Sequence, residues 1–320
     1  MRRPGTGNGF VVCAGGHTHW GVLGAAGLLL DDGRGHTLLQ HRAPWTHEGG
    51  TWSVTGGARD RGEDVVTAAL RESAEESGLA AGDVVPIGWS IADHDGWSYT
   101  TVVATAAPGR PRPEPHATNA ESSEVRWWAD DEIDDLPLHA GFAEAWARLR
   151  VRPAPLTVVV DVANVMGSRP DGWWRDRAGA ATRWWADLEA TVAHGWPAAE
   201  LPDGVHAGPL DVLTPRLRLV LEGAAREAAP PAATPTWADA LVTPVRAPGS
   251  GDDAVVAEVA ALAGTTDQIL VVTADRELRD RVREAMPAAG IAGPGTLTRF
   301  VPPSAPRPTP DPGSRNPFAP

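Results

Sequence analysis

Three glutamates, Glu72, Glu75 and Glu76, crowd into the segment RESAEES. On an α-helix, offsets of three and four residues bring their carboxylates to one side. Like charges so placed weaken a helix by roughly a few tenths of a kcal/mol each. A hard divalent cation such as Mg2+ or Mn2+ would turn that repulsion into attraction through oxygen ligation. The same residues equally describe a solvated acidic face, and their spacing alone leaves both readings open. Arg71 adds a local cation, and Glu63, eight residues earlier, lies about two helical turns away and can be neutralised by it.

The surrounding sequence says which elements must position these acids. WGVLGAAGLLLDD predicts a buried strand, HTLLQHRA its hairpin partner across DDGRG, and TWSVTGG a short strand entering a glycine turn. From Glu63 the apolar period becomes helical through Val65, Val66, Ala69, Leu70 and Ala74, with Gly78 as the stop. Two strands are expected about a turn at Asp95 and Gly96, then a Pro-rich solvent loop, PGRPRPEPHATNAES. EVRWWADDEIDDL supplies another strand, and HAGFAEAWARLRV a closing helix with Phe142, Trp146 and Leu149 on one face. These elements predict a flexible N-terminus over 1–18, a domain over 19–150 and a stiff linker, VRPAPL, over 151–156.

Over the whole stretch the spacing reads Gly57, five residues, Glu63, seven residues, Arg71-Glu72, Ser73, Ala74, Glu75-Glu76, Ser77, Gly78, Leu79. This resembles the box of the Nudix hydrolases, Gx5Ex7REUxEExGU with U apolar. Ser73 stands at an apolar position of that pattern, and Thr55 where Pro often precedes the glycine pair. The resemblance runs from about Trp20 to Arg150. It implies an α/β/α sandwich with a mixed sheet that hydrolyses a nucleoside diphosphate linked to another group. It also implies Mg2+ or Mn2+ held by Glu72, Glu75 and Glu76 with the Gly57 carbonyl, Glu63 supporting the metal site, and Arg71 orienting the glutamates. The attacking water would be the nucleophile, with Glu72 a candidate base. Trp45, Trp52, Trp97 and Tyr99 are candidates for stacking on a base, although packing is the stronger reading for any one of them. His17, His19, His41 and His47 lack a clear ligand spacing and read as surface or loop histidines.

Beyond the linker the pattern changes. LTVVVDVANVMG is a continuous apolar strand ending in polar residues. A helix follows over 176–194, then strands RLRLVLEG and ADALVTPVRA, a helix over 253–263, the strand QILVVTAD and a helix over 276–286. Such alternation predicts a doubly wound parallel sheet. Asp161 ends the first strand with Asn164 just after it, Asp252 and Asp253 open a helix, and Asp275 follows a buried strand. Each acid alone reads as a helix cap. Together, DVANV, GDD and TADREL resemble the PIN-like nucleases, and their NYN branch in particular, over 157–301. That resemblance implies RNA cleavage by Mg2+ or Mn2+ grouped by Asp161, Asp252, Asp253 and Asp275. Arg169, Arg175, Arg177 and Arg183, interleaved with four tryptophans, would either contact nucleic acid or form a solvated face over core indoles.

The chain's 320 residues accommodate two domains, and the Pro-rich segment over 302–320 is expected to be disordered. A net charge of −13 excludes a protein that coats nucleic acid through a dominant basic surface, though not nucleic-acid chemistry through metal ions. One cysteine, Cys13, excludes an intramolecular disulfide and a Cys-rich zinc site. VLGAAGLLL is too short to cross a bilayer, so a cytoplasmic protein without membrane partners is expected. The rival organisation is an RNA nuclease or RNA-binding protein whose first domain senses a nucleotide.

Overall fold

The computed structural model describes residues 6–107, 109–169, 172–230 and 236–301. The segment 302–320 lies outside them. The chain forms two compact units: the first runs to Pro153 and takes in Ala207–Leu213, and the second comprises Ala154–His206 and the chain from Thr214.

The first unit opens on a hairpin of β1 (Phe10–Val12) and β2 (Thr18–Trp20). Of the stretch expected to be flexible over 1–18, residues 1–5 lie outside the described residues; in the remainder Phe10 packs edge-on against Trp20 at 5.0 Å, which gives the two strands a shared apolar contact. Strands β3 (Ala25–Asp31), β4 (His36–Arg42), β5 (Trp52–Ser53), β6 (Thr55–Ala58), β7 (Val84–Asp93), β8 (Ser98–Ala106) and β9 (Ser122–Ala129) build a mixed sheet. In it β3 runs parallel to β8 and antiparallel to β4 and β6. Helix α1 (Val65–Ser77) packs on β3, β6 and β8, and α2 (Ala140–Leu149) buries Phe142, Trp146 and Leu149.

Asp64 caps α1, its Oδ1 accepting the N–H groups of Val66 and Thr67 at 3.0 and 2.9 Å. Gly78 ends the helix in the left-handed conformation (φ 69°), which a glycine adopts without strain. The loop after the Pro-rich stretch is strapped to this helix end. His116 N–H donates to the Ser77 carbonyl, Thr118 N–H to that of Glu76 and Thr118 Oγ1 to that of Glu75, at 3.1, 3.1 and 2.5 Å. These bonds satisfy carbonyls that a helix terminus leaves unpaired, a service the sequence reading of this stretch as a solvent loop did not foresee.

In the second unit β10 (Leu156–Asp161), α3 (Val162–Gly167), α4 (Arg177–His194) and the short β11 (Trp196–Pro197) precede the return of the chain to the first unit. There β12 (Val212–Leu213) pairs antiparallel with the outer edge of β7 at Trp89 and Gly88. The unbroken span expected over 157–301 is thus interrupted, because an edge strand offers unpaired backbone groups that a passing segment can satisfy. The second unit resumes with β13 (Arg216–Leu221), β14 (Val242–Arg246), α5 (Gly251–Ala261), β15 (Gln268–Val272), α6 (Arg276–Ala285), β16 (Gly290–Ala292) and α7 (Gly295–Phe300). Five of its strands form one all-parallel sheet in the order β14-β13-β10-β15-β16. Leu156, Val158, Val159 and Val160 of β10 are fully buried, as expected of a central strand covered on both faces. Val159 and Val271 pack with Val255 and Val259 of α5 and with Leu278 and Val282 of α6.

Replacing the α1 cap, Asp64→Ala, is expected to lower stability by about 1 kcal/mol. Urea unfolding should register this as a lower midpoint at unchanged slope.

Candidate active site

The site of the first unit is built where β6 meets α1. Glu76, on the last turn of α1, is 4% exposed, and its Oε2 accepts the Gly56 N–H at 2.8 Å and Gln40 Nε2–H at 3.2 Å. Gln40 is itself fixed, donating to the Val54 carbonyl at 3.0 Å and accepting from Ser122 Oγ. Burial pushes the Glu76 carboxyl up to about 8; the Gly56 bond opposes this, while the charges of Glu72 and Glu121 add to it. Burial raises Glu72 as well, against the pull of Arg71.

Arg71 organises the rest. Its Nε donates to Glu63 Oε1 at 2.8 Å, Nη2 to Glu63 Oε2 and to the Ala58 carbonyl at 2.9 Å each, and Nη1 to Glu72 Oε1 at 2.7 Å. The fork to Glu63 is bidentate, a geometry the rigid guanidinium holds far better than lysine. Glu63 Oε2 also accepts the Asp60 N–H at 2.9 Å. Burial works against ionisation of Glu63, but these bonds prevail and hold its carboxyl below the ordinary range. Nη1 lies 3.7 Å from Glu75, whose side chain is 59% exposed.

Gly57 forms a shelf beneath Glu72: a Cβ at Gly57 would sit 2.5 Å from the Glu72 carboxyl carbon and 2.6 Å from both its oxygens. A glycine there lets backbone and carboxylate share one small space. One buried carboxylate, a second largely buried, a third exposed on the same helix and a backbone shelf with no side chain provide the hard oxygen donors that Mg2+ or Mn2+ requires, so the residues present fit such an ion. Ser73, at the apolar position of the box, is fully buried and accepts a hydrogen bond from Thr55 Oγ1 at 2.9 Å. The two departures from the box pattern are thus partners of each other.

Sequence reasoning missed Glu121, which is exposed and close enough for its charge to raise both Glu72 and Glu76. Its place depends on the strapped loop, and no spacing within the box could have found it. Of the aromatic candidates, Trp45 is 73% exposed, Trp52 is buried edge-on against Trp128 at 5.1 Å, and Trp97 stacks on His19 at 4.0 Å. Tyr99 sets its hydroxyl against the backbone of Gly27 and Gly56, where burial and the Glu76 charge raise the phenol. Trp52 and Tyr99 are therefore engaged in packing, and Trp45 alone of the four presents a largely open ring.

In the second unit, acids gather at the carboxyl ends of the parallel strands, where the strand order reverses between β10 and β15. Asp161 Oδ1 accepts the Asn164 N–H at 3.0 Å and its Oδ2 the Thr273 hydroxyl at 2.9 Å, while Asn164 Oδ1 accepts the Ala274 N–H at 2.8 Å. Burial raises Asp161, with Asp252 and Glu222 adding to the shift. Burial likewise raises Asp252, together with Asp275, Glu222 and Asp253. Glu222 was not singled out from the sequence; its Oε2 accepts the Gly251 N–H at 2.8 Å. Asp275 caps α6 through the Leu278 N–H at 2.9 Å. Asp253 pairs with Arg281 at 2.6 Å, a bond that draws its carboxylate to α6. Of the interleaved arginines and tryptophans, Trp184 and Trp185 are core, with Arg169 over the Trp184 ring at 4.2 Å.

Comparison with known proteins finds relatives of the first unit. The model of the NUDIX domain matches residues 22–149. The chain is 48% identical over 160 residues to a Mycobacterium tuberculosis protein named "Putative 8-oxo-dGTP diphosphatase 3", covering 47% of this chain and 72% of that one. It is 41% identical to the "Nucleoside triphosphate pyrophosphatase/Nudix hydrolase fusion protein" of Bifidobacterium longum over 46% of this chain and 31% of the relative. Among solved structures, the M. smegmatis Nudix hydrolase RenU is 45% identical over 45% of this chain and 93% of its own, with a TM-score of 0.42. The chain therefore belongs to the Nudix hydrolase family, enzymes that act on acid anhydrides. Among the described residues no helix is long and apolar enough to cross a membrane.

Two outcomes test the geometry. Gly57 does not occupy the left-handed region, so Gly57→Ala should fold with little loss of stability yet displace the Glu72 carboxylate; Mg2+ titration by calorimetry should read weakened binding. Glu76 carries a pKa raised to about 8 from 4.5, so between those values the folded protein binds more protons than the unfolded chain. Stability of the metal-free protein should therefore fall as pH rises through that window, by at most about 1.4 kcal/mol per unit. Glu76→Gln should flatten the profile, as melting curves from pH 5 to 9 would show.

Proposed function

We propose that the first unit hydrolyses a nucleoside diphosphate linked to another group, releasing a nucleoside monophosphate and the remaining phosphate. The carrying observation is the pairing of the buried Glu76 carboxylate, fixed by the Gly56 N–H and Gln40, with the largely buried Glu72, which lies over the Gly57 shelf and is held by Arg71 and its fork to Glu63. Glu72, Glu75, Glu76 and the Gly57 carbonyl would hold Mg2+ or Mn2+. Such an ion, when bound, neutralises pyrophosphate charge and lowers the pKa of a bound water. Arg71 holds Glu72 by Oε1 and leaves Oε2 to accept the proton of the attacking water. Glu63 keeps Arg71 in place, and Gln40 with the Gly56 N–H fixes the carboxylate of Glu76. The mycobacterial relative's name points to an oxidised purine nucleoside triphosphate as the substrate to examine first, and the open ring of Trp45 offers a surface for a base.

A specific observation favours a second activity in the other unit. Beyond burial, the charges of Asp252 and Glu222 raise Asp161, and those of Asp275, Glu222 and Asp253 raise Asp252, at the reversal point of a parallel sheet, which suits metal-dependent cleavage of RNA by a PIN-like domain of the NYN type.

Release of the nucleoside monophosphate from 8-oxo-dGTP, dGTP, ADP-ribose, dinucleoside polyphosphates and capped RNA, with Mg2+ and with Mn2+, tests the first reading. Glu76→Gln should lower turnover by at least roughly 100-fold, more than losing an outer partner of a metal ligand usually costs. Unchanged turnover in that variant would overturn the mechanism. RNA cleavage with Mn2+ should survive Glu76→Gln and vanish in Asp161→Asn; RNA left intact by the wild type would make the second unit a binding or assembly module.

A further inference from the structure

A second set of metal-ligating side chains lies in the first unit, apart from the box glutamates. His47, Glu48 and His139 each bring one donor atom to within 4.8 Å of the others. His47 and Glu48 belong to the loop between β4 and β5, and His139 precedes α2, so two distant pieces of chain supply the set. The His47 and His139 rings are 5.9 Å apart, and His139 Nε2 stands 3.8 Å from Glu48 Oε1. That distance is too long for a hydrogen bond; it is an ion-pair contact only when His139 is protonated, and a neutral imidazole leaves Nε2 and Oε1 both aimed at one point.

The loop is built to hold them there. Arg42 Nε donates to the His47 carbonyl at 3.0 Å and Thr51 Oγ1 to the Glu48 carbonyl at 2.6 Å. Gly49 N–H donates to the Thr46 carbonyl at 3.0 Å and Gly50 N–H to that of Arg42 at 2.9 Å. Glu48 has a left-handed backbone, φ 50°, unusual for a residue with a side chain. In extended chain, consecutive side chains point to opposite sides; the turn at Glu48 lets two neighbours face one partner. Glu48 Oε2 is occupied by the Ala140 N–H at 2.8 Å, which caps α2 and leaves Oε1 turned toward His139. A carboxylate anchored by one oxygen and presented by the other is oriented as an outer hydrogen bond orients a metal ligand.

We propose that His47, Glu48 and His139 form a binding site for a borderline transition-metal ion such as Zn2+, distinct from the magnesium-type site of the glutamate helix. Two imidazoles and one carboxylate prefer Zn2+, Co2+ or Ni2+ to Mg2+. Bonds of roughly 2.0–2.2 Å in tetrahedral array place donors about 3.4 Å apart, so atoms now within 4.8 Å of one another must close by at most about 1.4 Å, a movement within reach of partly exposed rotamers. Three protein ligands leave a fourth position for water or a small anion. The bound ion ties the β4–β5 loop to the start of α2.

Co2+ is the probe, added to the full chain after chelation and in excess Mg2+, so that the oxygen-rich sites are already filled. The expected result is one equivalent of Co2+ giving the intense visible band of four-coordinate, nitrogen-ligated cobalt. The band should be lost in His47→Ala and in His139→Ala and kept in Glu76→Gln. His47 is exposed, so its replacement leaves the fold intact, which circular dichroism verifies. In parallel, Zn2+ should raise Tm of the wild type and leave that of His47→Ala unmoved, since a ligand stabilises only the state that binds it. A band that survives both histidine replacements, or a wild-type chain that gives none, overturns the site.

Discussion

Everything in the first unit answers to the difficulty of keeping carboxylates out of water. A buried, ionised glutamate is costly unless hydrogen bonds or a counter-ion repay its lost hydration. Glu76 has the Gly56 N–H and Gln40, and Glu72 has Arg71. Arg71 in turn is fixed by Glu63, which Asp60 supports through its backbone. Even so the carboxyl of Glu76 remains raised to about 8. The residual repulsion is what the divalent cation proposed for this site would relieve. The sheet and α1 serve mainly to hold these few atoms in one place.

The second unit meets the same constraint with a different scaffold. Its parallel sheet puts polar residues where strands end and helices begin, so caps and candidate ligands are the same side chains. Asp161 caps α3 and also accepts from Thr273 across the strand-order reversal. Asp275 caps α6. Capping explains how each acid can be tolerated alone, while their mutual repulsion is what capping leaves unexplained.

Much of this was legible in the residues. A change of period at Glu63 located α1, and fixed distances to Gly57 and Arg71 separated a site from a solvated face. The unbroken apolar run of LTVVVD located β10 for an equally local reason. What escaped depends on contacts between residues far apart in the chain. Glu121 reaches the site only because Thr118 and His116 strap their loop to the end of α1. Glu222 joins Asp161 only across neighbouring strands, and His47 finds His139 rather than the nearby His41. The excursion of Val212 and Leu213 to β7 answers an open edge that no local pattern advertises. Conversely, Asp253 sat beside Asp252 in every sequence argument, and an ion pair with Arg281 separates their roles.

On the proposed function, Glu76 receives a cation and gives up a proton in doing so. Calorimetric titration of Mg2+ into the metal-free chain at pH 7, in buffers of differing ionisation enthalpy, counts the protons released. With Glu76 raised to about 8, close to one proton should leave per Mg2+ bound. Heats independent of buffer, with Mg2+ bound and no proton released, would contradict it.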